Sequence, residues 1–311
     1  MLIIFESILP IFLLVLLGVA LRRSPLLNES LWPGLEQLGY YVLFPSLLFL
    51  TLAQADFSGM ETGTISLVSI LAVLVMSALV FALWPVLARA GVRPAAYTSL
   101  FQTATRWNAF IALAVAEKLA GSQGLAIVAL VMAVIIIPIN LINVGMLVWF
   151  SGASRDLRVF VVKIVTNPLI IGCALGLLVN LAQIPIYEPL MVTVDLVARA
   201  SLGLGLIMVG AGLRISDALR PHSVALVSVL LKLLAFPALM TGIGLAFGIH
   251  GQPLVLLALS AGVPTAMNGY VLAKQMGGDA ALYAAAATIQ TAISFVTIPV
   301  VLTAATYVAG G

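Results

Sequence analysis

Apolar runs follow one another along almost the whole chain, separated only by short polar breaks. A bilayer core about 30 Å thick is crossed by about 20 residues of α-helix, and inside it the backbone must satisfy its own hydrogen bonds. At that length the runs predict ten spans, near residues 2–21, 37–55, 63–88, 95–117, 123–150, 159–181, 189–212, 222–248, 253–275 and 280–308. Strict alternation of apolar and polar positions, the mark of an outer-membrane barrel strand, is absent. The predicted fold class is therefore all-α integral membrane, with no water-soluble domain between the spans.

Composition agrees with that pattern. Of 311 residues, 63% are hydrophobic and 8% charged, whereas a soluble domain carries about 25% charged residues to hydrate its surface. Met1–Ala20 lacks a basic leader segment, carries Glu6, and runs into Arg22-Arg23 rather than a small-residue cleavage site. It is expected to be the first span and not a signal peptide. The single cysteine, Cys173, allows no internal disulfide. The net charge of +3 comes from loops and points to orientation, not to nucleic acid.

Those loops are asymmetric. Arg22, Arg23, Arg89, Arg93, Arg155, Arg158, Arg214 and Arg220 fall on one side of the alternating spans, with Lys163 and Lys274 near the same ends. Asp56, Glu61, Glu117 and Glu188 fall on the other, where Lys118 is the only basic residue. Membrane insertion enriches Lys and Arg in cytoplasmic loops. The expected topology is multi-pass, with both termini outside the cytoplasm.

An internal repeat is also visible. Pro10 and Gly18 recur as Pro168 and Gly176, each pair 158 apart (168 − 10, 176 − 18). Pro94 recurs as Pro253, Asn108 as Asn268 and Pro138 as Pro299, at separations of 159, 160 and 161. Five pairs in one order at nearly one offset are poorly explained by chance among 15 prolines. The halves 1–155 and 156–311 would each hold five spans. Five is odd, so the second half enters the membrane from the opposite face, as a 5+5 inverted repeat of the kind secondary transporters use.

Polar side chains inside a membrane are costly, and their placement is functional evidence. Span four carries Gln102, Thr103, Thr105, Arg106 and Asn108 within seven residues. Span nine carries Ser260, Gly262, Pro264, Thr265 and Asn268, and Pro264 is expected to break the helix. Each break would present the partial positive charge of a half-helix N-terminus, a good anion site. Arg106 would add a planar fork that fits a carboxylate, against the alternative of a structural arginine held by carboxylates or carbonyls. Asn108 and Asn268 would contact substrate, cap the broken helices, or both. Thr105, Pro264 and Thr265 are also expected at the substrate site, Pro264 in an architectural more than a contacting role. Asn140 and Asn143 after Pro138, and Gln290 and Ser294 before Pro299, are candidate cavity-lining residues or ordinary interhelical hydrogen bonders. Lys232 in span eight would salt-bridge or snorkel, and Asp195 and Arg199 would pair locally.

Taken in order, Arg106-x-Asn108, Thr166-Asn167-Pro168-Leu169-Ile170-Ile171-Gly172, Lys232-Leu233-Leu234-Ala235-Phe236-Pro237, and Val263-Pro264-Thr265-Ala266-Met267-Asn268 with Gly277-Gly278-Asp279 resemble the auxin efflux carrier family of bacterial permeases, over essentially the whole chain. The resemblance implies the fold of the bile acid/sodium symporter superfamily, with broken helices four and nine crossing each other. It implies a scaffold domain of spans one, two, six and seven and a transport domain of spans three to five and eight to ten. It also implies a bacterial inner-membrane location, organic anions such as malonate, malate or auxin as cargo, an elevator-like mechanism and a homodimer. Carried over by position, the crossover residues are Asn108, Pro264 and Asn268. The first copy departs from the second, with Arg106-Trp107 where a proline would make the breaks alike.

The expected function is secondary transport of a small mono- or dicarboxylate. No cofactor and no metal site are expected, although coupling to protons or sodium is open. A passive anion channel or uniporter on the same fold is the alternative, but the polar residues concentrate mid-span and the span ends are apolar. A membrane enzyme would need a constellation of nucleophile, base or metal ligands. His222, His250 and Cys173 do not supply one, so the chain is not read as an enzyme.

Overall fold

The computed structural model describes residues 2–57, 61–151, 166–219 and 223–310. Arg155, Arg158, Lys163, Arg220, His222, the start of predicted span six and the boundary between the predicted halves lie outside the described residues. Apart from the four-residue turn of helix Ile215–Ala218, the helices are α1 (Leu2–Arg23), α2 (Leu31–Ala53), α3 (Thr62–Arg89), α4 (Pro94–Thr105), α5 (Ala109–Ser151), α6 (Pro168–Leu181), α7 (Glu188–Gly212), α8 (Ser223–Ala246), α9 (Gly251–Gly262), α10 (Asn268–Gln275) and α11 (Ala280–Ala309). No strand occurs among the described residues.

Seven helical stretches among the described residues are long and apolar enough to cross a membrane: α1, α2, α3, α4 with α5, α7, α8 and α11. Helices α6 and α9 are apolar but shorter. Large apolar side chains face outward along these helices, among them Leu16, Leu181, Leu196 and Tyr307 at 61%, 77%, 65% and 87% exposure. Water would penalise such surfaces, whereas lipid does not.

Helix irregularities follow from particular residues. Predicted span four is α4 with the first part of α5, and non-helical Ala120 and Gly121, the latter at φ +56°, part it from predicted span five in the remainder of α5. Glycine adopts that angle without the Cβ clash of other residues. Two π-type widenings, Gly39–Leu43 in α2 and Leu231–Ala235 in α8, end directly before Phe44-Pro45 and Phe236-Pro237. Proline lacks an N–H and crowds the preceding turn, and the wider turn accommodates both defects.

Lipid tails offer no hydrophobic drive between helices, so close packing rests on small residues. Helix α1 packs on α7 and α2 packs on α6. A Cβ on Gly18 of α1 would overlap the carbonyl oxygen of Ile207 in α7, and one on Gly176 of α6 would fall 2.6 Å from the carbonyl oxygen of Phe49 in α2. These contacts are related by one offset, since 18 + 158 = 176 and 49 + 158 = 207. Elsewhere α9 lies beside α5, α8 and α11, while α10 lies beside α4 and α11.

Candidate functional site

Helices α4 and α9 are the same length and end the same way. Each has 12 residues, and each closes on an extended residue, Arg106 (φ −71°, ψ 160°) and Val263 (φ −70°, ψ 150°). The Arg106 and Val263 N–H groups still bond back to the Gln102 and Leu259 carbonyls. The second break follows from Pro264. The first forms without proline, and there side chains take over the backbone's hydrogen bonds.

At that first break, Asn108 Oδ1 accepts the N–H groups of Phe110 (3.1 Å) and Ile111 (3.3 Å), capping the start of α5. Phe110 seats its ring over Gly205 of α7, where a Cβ would overlap it, and meets Phe44 of α2 with centroids 3.9 Å apart.

Arg106 is 5% exposed. Its Nε donates to Gln102 Oε1 and its Nη1 to Asn140 Oδ1, both at 3.2 Å. Asn140 and Asn143 each anchor their Nδ2 on their own helix, at the Ile136 (2.9 Å) and Ile139 (2.8 Å) carbonyls. Their Oδ1 atoms are thereby aimed at the break. Asn143 Oδ1 lies 3.2 Å from the Thr105 hydroxyl, which is also 2.9 Å from the Phe101 carbonyl. The guanidinium is thus oriented by two neutral amides. The ion pairs among the described residues are Arg22–Glu29, Arg93–Asp279 and Arg199–Asp195, and Arg106 is in none of them. Two donors, Arg106 Nη2 and Gln102 Nε2, are buried without a hydrogen-bond partner among the described residues.

The second break is tied by residues of α11. Thr265 N donates to Gln290 Oε1 at 2.9 Å, and Gln290 Nε2 lies 3.0 Å from the Thr103 carbonyl and 3.3 Å from that of Ser228. One fully buried side chain therefore joins both breaks to α8. The Tyr283 hydroxyl donates to the Ala266 carbonyl at 2.6 Å, leaving Thr265 Oγ1 to donate to it across 3.1 Å. Gly269 makes room for that ring, since a Cβ there would overlap the hydroxyl. Tyr283 is also close enough to Arg106 for the two to interact electrostatically.

The structure therefore joins Arg106 to Asn140 and Thr105 to Asn143 beside the first break, which Asn108 caps, and joins Thr265 to Gln290 at the second. Ser294 bonds only locally, to the Thr291 carbonyl at 2.7 Å. Pro264 is buried within the second break, whereas Asn268 is exposed. The two asparagines are not in matching places. Counted from the extended residue, Asn108 (106 + 2) corresponds to Thr265 (263 + 2), because the second linker runs from 263 to 267 and the first only from 106 to 108. Asn268 opens α10 and makes no side-chain cap. Gln102 and Tyr283 were not among the expected site residues; Gln102 stands four before Arg106, the spacing that puts two side chains on one helix face.

Among the described residues Lys232 pairs with no acid, and it does not snorkel. It is fully buried, with Nζ 2.7 Å from the Ala261 carbonyl and 4.5 Å from the centroid of the Phe236 ring. Asp195 and Arg199 do pair, at 2.7 Å. An open cavity of about 460 Å³ lies between α1, α5 and α7, bounded by Ile11, Leu14, Ala114, Leu202 and the charged Glu117 and Lys118. Among the described residues no three His, Cys, Asp or Glu side chains gather as a metal site would require.

Known proteins agree with a transporter. A transporter from Methanothermobacter thermautotrophicus, itself uncharacterized, is 27% identical over 300 residues, covering 94% of this chain and 96% of the relative. The model of the membrane transport protein family, the auxin efflux carrier type, matches residues 3–302. With broken, polar-lined helices and a match of that extent, the chain belongs to this membrane transport protein family.

Proposed function

We propose that this protein is a secondary transporter of a small organic anion, a mono- or dicarboxylate such as malonate, malate or an auxin-like acid. The observation that carries the reading is the pair of buried donors without partners, Arg106 Nη2 and Gln102 Nε2, beside a broken helix. A buried unpaired donor is destabilising by about 1–3 kcal/mol, and more when charged. A carboxylate would satisfy both donors and neutralise a guanidinium that has no counter-ion among the described residues. Asn140 and Gln102 hold the fork, and Asn108 fixes the start of α5 beside it.

The architecture in this reading is ten spans in a 5+5 inverted repeat, with helices four and nine crossing at their breaks. The glycine contacts related by 158 residues support it, as do the matched ends of α4 and α9. So does the Arg93–Asp279 contact at 3.6 Å, which joins two loops that the alternation of spans assigns to the cytoplasmic side. Spans one, two, six and seven form the scaffold and the remaining six the transport domain, which carries substrate in an elevator-like movement. The cavity between α1, α5 and α7 lies at the junction of the two. The protein would sit in a bacterial inner membrane as a homodimer, with both termini outside the cytoplasm.

The test is uptake of labelled malonate, malate, other small carboxylates and an indole acid into proteoliposomes. Wild type should show saturable uptake of at least one. Arg106→Ala should lose it by at least tenfold while remaining folded, and Arg106→Lys should retain only part, since a point charge does not reproduce the fork. Undiminished uptake by Arg106→Ala would remove the substrate role from this residue.

A further inference from the structure

We propose that the Lys232 ammonium is the resident cation of the transport unit. It takes, at the C-terminal end of half-helix α9, the place that a coupling metal ion takes in other broken-helix carriers, and its proton is the coupling ion. The proposal rests on the transporter reading above and names what drives it.

Three observations converge on this residue. Its Nζ is 2.7 Å from the carbonyl of Ala261, in the last turn of α9. Carbonyls there lack helical donors and carry the negative end of the helix dipole. In broken-helix carriers such carbonyls hold sodium or a proton. Second, the amine is fully buried, yet it belongs to none of the ion pairs among the described residues. Its stabilisation comes from the half-helix end and from the Phe236 ring 4.5 Å away, a cation–π contact. Third, the π-type widening Leu231–Ala235 lies where α8 meets α4, α9 and α11, so Lys232 projects from the turn that all three touch.

The surroundings leave the proton to this amine. Helices α4, α9 and α11 and the rest of α8 carry no carboxylate and no histidine. Their other titratable side chains are Tyr97 on α4 and Tyr283 and Tyr307 on α11, and Arg106 follows α4. The step is a simple acid–base exchange. The ammonium gives one proton to water on the side to which the site is open and keeps the nitrogen lone pair as a neutral amine. The neutral amine keeps N–H donors but loses the charge that strengthens the bond to the Ala261 carbonyl, so the tie between α8 and α9 loosens. Reprotonation from the other side restores it. A tethered ammonium at this end also repels a sodium ion, so transport should be indifferent to sodium.

Proteoliposomes holding wild type, Lys232→Arg or Lys232→Met test the proposal through uptake of labelled carboxylate under a proton gradient, under a sodium gradient and in zero-gradient exchange. Wild-type uptake should rise severalfold with the proton gradient and be unchanged by sodium. Both variants should lose the response to the proton gradient, and Lys232→Arg, which keeps a fixed charge, should retain exchange. Sodium-driven uptake by wild type, or an undiminished proton response in Lys232→Met, would overturn the proposal. If wild type takes up no carboxylate, the substrate reading fails, and the proposal is then decided by thermal melting of the detergent-purified wild type. Equal midpoints in sodium and potassium chloride support a resident ammonium, and a rise specific to sodium overturns it.

Discussion

Gln290 offers the sharpest test of how the two breaks are held. Its side chain is fully buried and makes three contacts, accepting from Thr265 N at 2.9 Å and donating toward the Thr103 and Ser228 carbonyls at 3.0 and 3.3 Å. Gln290→Leu keeps nearly the same volume, so it removes hydrogen bonds without opening a cavity. Interhelical hydrogen bonds in membrane proteins average about 0.6 kcal/mol and reach about 1.7, which puts three of them at about 2–5 kcal/mol. The largest share belongs to the Thr265 N–H, since a buried amide in a non-helical linker has no substitute acceptor, whereas a carbonyl keeps a second lone pair. Large domains lose about 2–4 °C of melting temperature per kcal/mol, so a fall of at least about 4 °C is expected in a detergent-purified melt. Gln290→Glu keeps the acceptor for Thr265 but turns the other end toward two carbonyls without a donor when ionised. It should lose transport as well as stability. A leucine variant that melts with wild type and transports normally would show that the breaks do not depend on this residue.

Two further perturbations use the same assays. Gly18→Ala and Gly176→Ala set a Cβ against backbone carbonyls, which cannot move aside as a side chain can. Each should be destabilised by about 1–3 kcal/mol, whereas Gly203→Ala, with nothing within 4 Å of its Cβ, should match wild type; equal melts for all three would refute the packing. Asn108→Ala removes the cap on α5 and should cost about 1 kcal/mol, with Asn108→Asp restoring most of it; an aspartate no better than alanine would mean the cap is not what Asn108 provides.

Much of this was legible in the sequence, for identifiable reasons. Span lengths are set by the bilayer, so apolar runs reveal them whatever their partners. The break at Pro264 is legible because proline acts on its own turn. The break at Arg106 was visible only as a cluster of polar residues, since its cause is distributed over Gln102, Asn140, Asn143 and Asn108. Equivalence by similar numbering misled at Asn268, because the second linker is two residues longer and Thr265 takes the place matching Asn108. Lys232 and Gln290 were hardest to read. Their meaning lies in acceptors 29 residues away for Lys232 and as far as 187 for Gln290, and no local pattern records that.

The offset of 158 residues is where sequence and structure speak to each other most directly. Read along the chain, it links Pro10 to Pro168 and Gly18 to Gly176, both local features of single helices. In space, the same number carries a contact onto a contact, Gly18 against Ile207 onto Gly176 against Phe49. Ile207 and Phe49 share no chemistry that a sequence comparison would register, since each contributes a backbone carbonyl to a glycine on the other half. An offset that relates contacts rather than residues ties α1 to α7 as it ties α6 to α2. An added methyl at Gly18 should therefore strain the α1–α7 contact and one at Gly176 the corresponding α2–α6 contact. The Gly18→Ala and Gly176→Ala variants should be destabilised to similar degrees, and the double variant should fall by about their sum, because the two contacts share no residue.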